Sequence, residues 1–299
     1  MSENVRGQHG GIADRIRSGG RSFSFEFFPP KDEAGEQVLW DSIRSLEPYD
    51  PSFVSVTYGA GGTTRDSTVR ITGRIASQTS LVPMAHLTCV GHTVEEVDTV
   101  LDAYAEAGIS TVMLLRGDPA DGPRAPWSQT PGGFNHAIEL VEHVAARGGF
   151  DIGVAAFPEG HPSAASLDAD ADVLVAKARA GAEFAVTQMF FRAADYFALV
   201  QRVRERGVDI AILPGIMPIL NLSAIQRQSE LIGTSVPQDV VARIGAYAGD
   251  PDAVRAEGIA VAAELCDELL AGGAPGLHFY TLNRSRATRD IFAKLNVTA

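Results

Sequence analysis

Eight short apolar runs recur along this chain, each ending at a polar residue and nearly all leading into a helical pattern, and no other feature narrows its fold as far. The runs are FSFEFF (23–28), FVSVTY (53–58), PMAHLTC (83–89), TVMLLRGD (111–118), IGVAAFPE (152–159), FAVTQMFF (184–191), IAILPG (210–215) and LHFYTLNR (277–284). Apolar strands with little alternation are expected when a parallel sheet is buried on both faces. Eight such units predict an α/β fold, a closed (β/α)8 TIM barrel whose active site is built at the C-terminal ends of the strands. That rule nominates Glu26, Thr57, His86, Asp118, Glu159, Gln188 and Asn283 before any chemistry is considered.

Between the runs lie amphipathic segments at 33–47, 65–78, 93–107, 133–147, 168–180, 193–206, 222–247 and 252–271, the seventh broken near Gly233 and Pro237. Thr93 followed by Glu96 has the spacing of a capping box, and Gly108, Gly181 and Gly207 stand where helices stop. A last helix is expected over 285–295. The interval between the seventh and eighth runs is twice the usual length, so an extra helix belongs there. Residues 1–20 read as a polar tail plus a short helix in IADRIRSGG, and 21–299 as one barrel domain. The longest irregular piece, Asp118 to Gly133, leaves the fourth strand at the active-site end, and loops that long are usually functional.

The formal net charge of -12 argues against a nucleic-acid groove, because duplex binding relies on neutralising phosphates. Arg greatly outnumbers Lys, and Arg pairs with phosphates bidentately. Cys89 and Cys266 are too few and too distant for a disulfide framework or a zinc site. The N-terminus has no apolar core of a signal peptide, and no stretch is long and apolar enough to span a membrane. A cytoplasmic protein with small-molecule partners is expected, with its oligomeric state left open. Lys31, Lys177 and Lys294 all lie outside the runs, which excludes a Schiff-base lysine inside a strand. His86, His136, His143, His161 and His278 lack ligand spacing on any one element, so no metal is expected.

Glu26 stands among Phe25, Phe27, Phe28 and two prolines. A carboxyl in apolar surroundings has its charged form disfavoured, so its pKa is expected to rise and make it a usable general acid. The alternative is a strand-end Glu paired to an Arg across the barrel mouth. Asp118 follows Arg116 by two residues and alternation would put both on one side, so a structural ion pair competes with a ligand role; Gly117 between them admits close approach to the backbone. His86 reads as a neutral hydrogen-bonding group or a satisfied core histidine, and taken alone the core reading wins. Gln188, an amide in an aromatic strand, needs a partner. TYGAGGTT (57–64) could form an anion nest. Asp170 and Lys177, after FPEGHP, read most simply as helix-surface charges.

Taken together, FSFEFFPPK, FVSVTYGAGGTTR, AHLTC, LLRGDP, AAFPEGHP, TQMFF, PGIMP and HFYTLNR resemble the methylenetetrahydrofolate reductases, in order over residues 22–295. The resemblance implies a flavin-containing barrel that oxidises NADH or NADPH and converts 5,10-methylenetetrahydrofolate to 5-methyltetrahydrofolate, in the compact bacterial form. By position it makes Glu26 the acid that protonates folate N10 and Asp118 the carboxylate facing the pterin. It gives Thr57, Tyr58, Ala60, His86, Arg116, Gly117 and Asp118 to FAD, with Phe157, His161, Ala164, Asp170 and Lys177 toward the ribityl, diphosphate and adenosine portion. Gln188 and Arg284 would contact folate. The chain departs from the family pattern at Phe157, often Tyr, at Val173 and Ala176, where relatives can carry Asn and Arg near the diphosphate, and at Ala224 and Gln228.

Overall fold

The computed structural model describes residues 11–17, 20–58, 65–119, 121–122 and 125–295. Its strands are β1 (Ser22–Phe27), β2 (Phe53–Val56), β3 (Pro83–Thr88), β4 (Thr111–Leu115), β5 (Asp151–Ala156), β6 (Phe184–Thr187), β7 (Ala211–Leu213), β8 (Gly215–Ile216) and β9 (Gly276–Tyr280). All pairings are parallel, and the order is β7-β6-β5-β4-β3-β2-β1-β9-β8. The seventh expected strand is split at Pro214, which has no N–H to give a ladder. Its lower half, β7, pairs with β6, and its upper half, β8, pairs with β9. The Pro214 carbonyl accepts the His278 N–H at 2.9 Å, so the barrel closes across the break.

The helices are α1 (Ile12–Arg17), α2 (Glu33–Leu46), α3 (Arg65–Gln78), α4 (Val94–Glu106), α5 (Ala137–Arg147), α6 (Leu167–Arg179), α7 (Ala193–Glu205), α8 (Leu222–Ile232), α9 (Gln238–Gly245), α10 (Pro251–Ala271) and α11 (Ser285–Phe292). The Thr93–Glu96 capping box forms at α4. The long interval before β9 holds α8 and α9 as well as α10; Gly233 ends α8 with φ 84°, a left-handed conformation that glycine adopts freely. No helix among the described residues is long and apolar enough to cross a membrane.

Alternation along the strands divides their side chains between two cores. Phe25, Phe27, Val54, Val56, Ala85, Leu87, Val112 and Leu114 pack outward beneath the helices. Phe53, Met84, Met113, Phe184, Val186 and Leu213 fill the lower lumen, where Ile12, Ala13 and Ile16 of α1 close the N-terminal end. The Ile12 N–H donates to Asp151 Oδ2 at 3.0 Å, tying that plug to β5. Gly153 is small by necessity, since a Cβ there would overlap the Phe184 ring. The lumen is thus packed solid from below, as side-chain layers fill such barrels, and only its upper layer is polar.

Candidate active site

Glu26 is inward-facing, one step above the packed layer. The parallel register sets Ser55 of β2 and Tyr280 of β9 beside it, and His278 beside Ser24. Ser55 Oγ donates to Glu26 Oε2 at 3.3 Å; His278 Nε2 lies 3.4 Å from the same oxygen, and His86 Nε2 3.5 Å. His278 Nδ1 shares a 2.8 Å hydrogen bond with Ser24 Oγ. The imidazole stacks on Phe53 at 5.7 Å and meets the Tyr280 ring edge-on at 5.4 Å.

This environment reverses one expectation. Burial does push the Glu26 carboxyl up, but the His278 hydrogen bond, the charges of His86 and His278 and the Ser55 hydroxyl outweigh it and hold the group below the usual carboxylate value. The phenylalanines that suggested an apolar pocket point the other way: Phe25 and Phe27 lie in the outer core with the helices. Burial pushes the His86 imidazole below its usual value, against the pull of Glu26. No Arg pairs with Glu26 among the described residues.

A second group lies around the mouth. β4 ends at Leu115, so Arg116 and Asp118 have left the sheet, and Gly117 between them turns with φ 82°. The Arg116–Asp118 ion pair, the alternative to a ligand role, is not made among the described residues. Arg116 instead stacks on the Trp127 ring, 4.7 Å from its centroid, and the indole N–H is fixed by Asn135 Oδ1 at 2.8 Å. Asp118 is exposed. Asp170 and Lys177 are not surface charges: they are only 8% and 9% exposed. Burial pushes the Lys177 ammonium down, with Asp170 and Cys89 opposing and Arg116 adding to the fall. Burial likewise raises Asp170, despite Lys177 and the His161 backbone N–H.

A buried ammonium that makes no hydrogen bond or ion pair with any described residue is costly; the Asp170 carboxylate eases that cost, and the weaker influence of a second cation, Arg116, adds to it. Two converging cations form a setting that an anionic group completes, so these residues fit the diphosphate of a flavin dinucleotide. Gly117 is required by the fold itself, since its φ of 82° is left-handed and a Cβ there would overlap Thr88 and Val90. Phe157 and His161 meet edge to face at 4.8 Å on the same side, where the Ser163 N–H donates to His161 Nδ1 and the Ala164 N–H to the His161 carbonyl.

The remaining nominees divide. Thr57 follows β2, its N–H donating to the Phe27 carbonyl, while the Tyr58 hydroxyl and His92 Nε2 share a 3.1 Å hydrogen bond. Ala60 lies outside the described residues. Gln188 meets its need for a partner locally, its Oε1 accepting the Met189 N–H at 2.8 Å. Arg284 is exposed at the start of α11. Asn283 clasps the Phe28 backbone through both ends of its amide and serves the scaffold. Glu159 is exposed, yet burial of its carboxyl and the charge of Asp195 push it up to about 7. Ser24, Ser55, His278 and Tyr280 escaped the sequence reading. For Ser24, His278 and Tyr280 the signal was the two-residue spacing of S-x-E on β1 and H-x-Y on β9, which puts each pair into the lumen; Ser55 had no such signal and is placed by its register with Glu26.

A family model described as methylenetetrahydrofolate reductase matches residues 11–296. The Arabidopsis thaliana protein named methylenetetrahydrofolate reductase (NADH) 1 is 36% identical over 96% of this chain, which spans only 51% of that relative. The 5,10-methylenetetrahydrofolate reductases of Pectobacterium carotovorum and Escherichia coli are 37% and 36% identical over 92% of this chain and 90% of their own. The chain thus spans about half the length of the plant relatives and most of the bacterial ones. Among solved structures, a Clostridium thermocellum protein that binds two copies of 5-methyl-5,6,7,8-tetrahydrofolic acid superposes with TM-score 0.60 at 12% identity, over 95% of this chain and 97% of that one. A phosphoenolpyruvate phosphomutase from Streptomyces platensis superposes with TM-score 0.54 at 13% identity, over 95% of this chain and 85% of the other. At those identities the likeness is one of fold.

Proposed function

Because the chain belongs to the methylenetetrahydrofolate reductase family, we propose that it reduces 5,10-methylenetetrahydrofolate to 5-methyltetrahydrofolate, with NADH or NADPH as reductant and FAD as the bound carrier. The observation that carries this reading is the carboxyl of Glu26, held by two imidazoles and a hydroxyl at the floor of a mouth where Arg116 and Lys177 make no ion pair among the described residues. Relatives named for NADH favour that donor. FAD bound there supplies the two-electron carrier that lets the nicotinamide and the folate react in turn.

The chain's own residues bind, orient and move a proton. Arg116 and Lys177 would hold the diphosphate through charge-assisted hydrogen bonds, about 1.5–3 kcal/mol each. His161, Ala164 and Asp170 would flank it toward the adenosine, and Phe157 toward the ribityl chain. Thr57, Tyr58, Ala60, His86, Gly117 and Asp118 would meet the flavin ring, with Gln188 and Arg284 on the folate. Glu26 gives a proton to folate N10; the bond from N10 to the methylene carbon breaks, its electron pair stays on nitrogen, and a 5-iminium cation forms. The negative charge of Asp118 favours that cation over the closed ring. The solid lower lumen keeps water from reaching Glu26 from below.

Glu26→Gln tests the assignment. Removal of a general acid costs about 10²–10⁴ in rate, so turnover of methylenetetrahydrofolate by this variant should fall into that range below the parent. Near-parental turnover overturns the acid role. A second reading, direct hydride transfer from nicotinamide to the iminium without flavin, is favoured by Val173, 49% exposed where a polar diphosphate contact is expected. The visible absorption of freshly purified protein separates the two readings.

A further inference from the structure

Pro214 interrupts the barrel wall, and the repair of that break lies next to Gln188. The β6–β7 ladder ends at Val186 and Leu213. The following proline has no N–H to offer, and the chain crosses to β9, where Gly215 pairs with His278. Thr187, the last residue of β6, is fully buried yet has no strand partner on that side. Two bonds supply what the ladder lacks. The Tyr280 hydroxyl reaches across from β9 and donates to the Thr187 carbonyl at 2.5 Å, and the Gly215 N–H donates to Thr187 Oγ1 at 2.8 Å. Gly215 has to lack a side chain here, because a Cβ would overlap both the Thr187 carbonyl oxygen and the Tyr280 hydroxyl. Burial and the Glu26 charge push the Tyr280 phenol well above its usual range, so it keeps the proton it donates.

The carbonyl that Tyr280 holds belongs to the peptide joining Thr187 to Gln188. At the other edge of that peptide the Gln188 N–H donates to the Ala156 carbonyl of β5 at 2.8 Å. One planar unit is thus gripped at its oxygen from β9 and at its nitrogen from β5, immediately before the Gln188 side chain. The side chain is set in turn by its neighbour, since Oε1 accepts the Met189 N–H at 2.8 Å. A backbone N–H bonds only to the oxygen end of an amide. The Nε2 end is therefore left as a donor with no partner among the described residues. Met189 itself belongs to the apolar cluster on which the Tyr280 ring packs.

We propose that Tyr280 is a positioning residue for folate binding: its hydroxyl, by gripping the Thr187–Gln188 peptide across the Pro214 break, aims the free amide N–H of Gln188 at the substrate. This rests on the folate contact proposed above for Gln188. Tyr280 acts through the backbone and carries no contact with the reacting atoms. Without the phenol the end of β6 is held from one side only, and ordering Gln188 becomes a cost that binding has to meet. Such a cost falls on ground state and transition state alike, so it raises KM and leaves kcat in place. The Tyr280 ring also meets His278 edge-on at 5.4 Å. A role through the acid is therefore the competing one, and it would lower kcat instead.

The test is a double-mutant cycle on Tyr280→Phe, Gln188→Ala and the two combined. Its readouts are calorimetric titration with 5-methyltetrahydrofolate and the kcat and KM of methylenetetrahydrofolate reduction. Tyr280→Phe removes one neutral hydrogen bond and should raise the dissociation constant and KM roughly two- to tenfold, with kcat little changed. The double variant should bind no more weakly than Gln188→Ala alone. Parental affinity in Tyr280→Phe, a loss confined to kcat, or a double variant that loses the product of the two single losses overturns the proposal. Thr187→Val, which deletes the acceptor of the Gly215 N–H, carries the same test if Tyr280→Phe does not fold: affinity should fall in the same way, and parental affinity overturns the proposal. Parental affinity in Gln188→Ala overturns the folate contact of Gln188 and the proposal with it, whereas a weakened Gln188→Ala beside an unaltered Tyr280→Phe overturns only the positioning role.

Discussion

Two residues at the mouth, Asp118 and Lys177, are at odds with stability in instructive ways. Asp118 is exposed and has no ion pair with Arg116 among the described residues, so its charge has no scaffold duty there. Asp118→Asn should slow folate turnover by the roughly 2.7–4 kcal/mol that a preorganised charge contributes to a transition state, with an unchanged melting temperature; lost stability with normal turnover would return it to a structural role. Lys177 is a buried charge whose folded pKa lies below the ordinary lysine value of 10.5. Such a group penalises folding fully below its folded pKa, and the penalty is relieved only as pH rises from there to the ordinary value. Lys177→Met should therefore raise the melting temperature at pH 7 while weakening FAD binding, read by thermal melts and flavin titration. A variant that melts lower and binds FAD normally contradicts this. The sequence named Glu26, Asp118 and Lys177 but misjudged their surroundings, because alternation sends Phe25 and Phe27 away from Glu26 and the fold buries Lys177 on an otherwise charged helix.

Elements decided most of what was legible. Each of the eight apolar runs holds a strand, but the run at 210–215 divides into β7 and the first residue of β8, and glycine and proline signals located the helix breaks at Gly233 and Pro237. The split at Pro214 was written in the sequence as a proline inside a strand run, which cannot pair continuously. Lumen partners were harder to see, because a reading of strands as uniformly apolar hides the two-residue spacing of Ser24 with Glu26 and of His278 with Tyr280. The loop after β4 shows a further limit: no spacing rule brings Trp127 over Arg116, eleven positions earlier in sequence. That stack orders the guanidinium from the face and leaves its edge for an anion. A cation–π pair is worth about 0.5–2 kcal/mol, so Trp127→Ala should raise the FAD dissociation constant roughly two- to thirty-fold, with Trp127→Phe recovering part of the loss. Equal affinities across the series would show that the loop does not order Arg116 for the cofactor.

At the scale of the whole molecule, a barrel filled from below by aromatic and sulfur-bearing side chains and plugged by α1 leaves one polar layer and one open end. Glu26, with Ser55, His86 and His278 around it, occupies that layer, and Arg116 and the buried Lys177 lie toward the opening, where the proposed carrier would share one folate with the proposed acid. The central claim is that this arrangement reduces methylenetetrahydrofolate through a flavin. Protein stripped of flavin, titrated with FAD and assayed for 5-methyltetrahydrofolate with NADH and with NADPH, tests it most directly. The account predicts product formation that rises with flavin occupancy and saturates with it. Full turnover at zero flavin, unchanged by added FAD, would contradict the flavin route, and no product at any occupancy with either nucleotide would contradict the reductase itself.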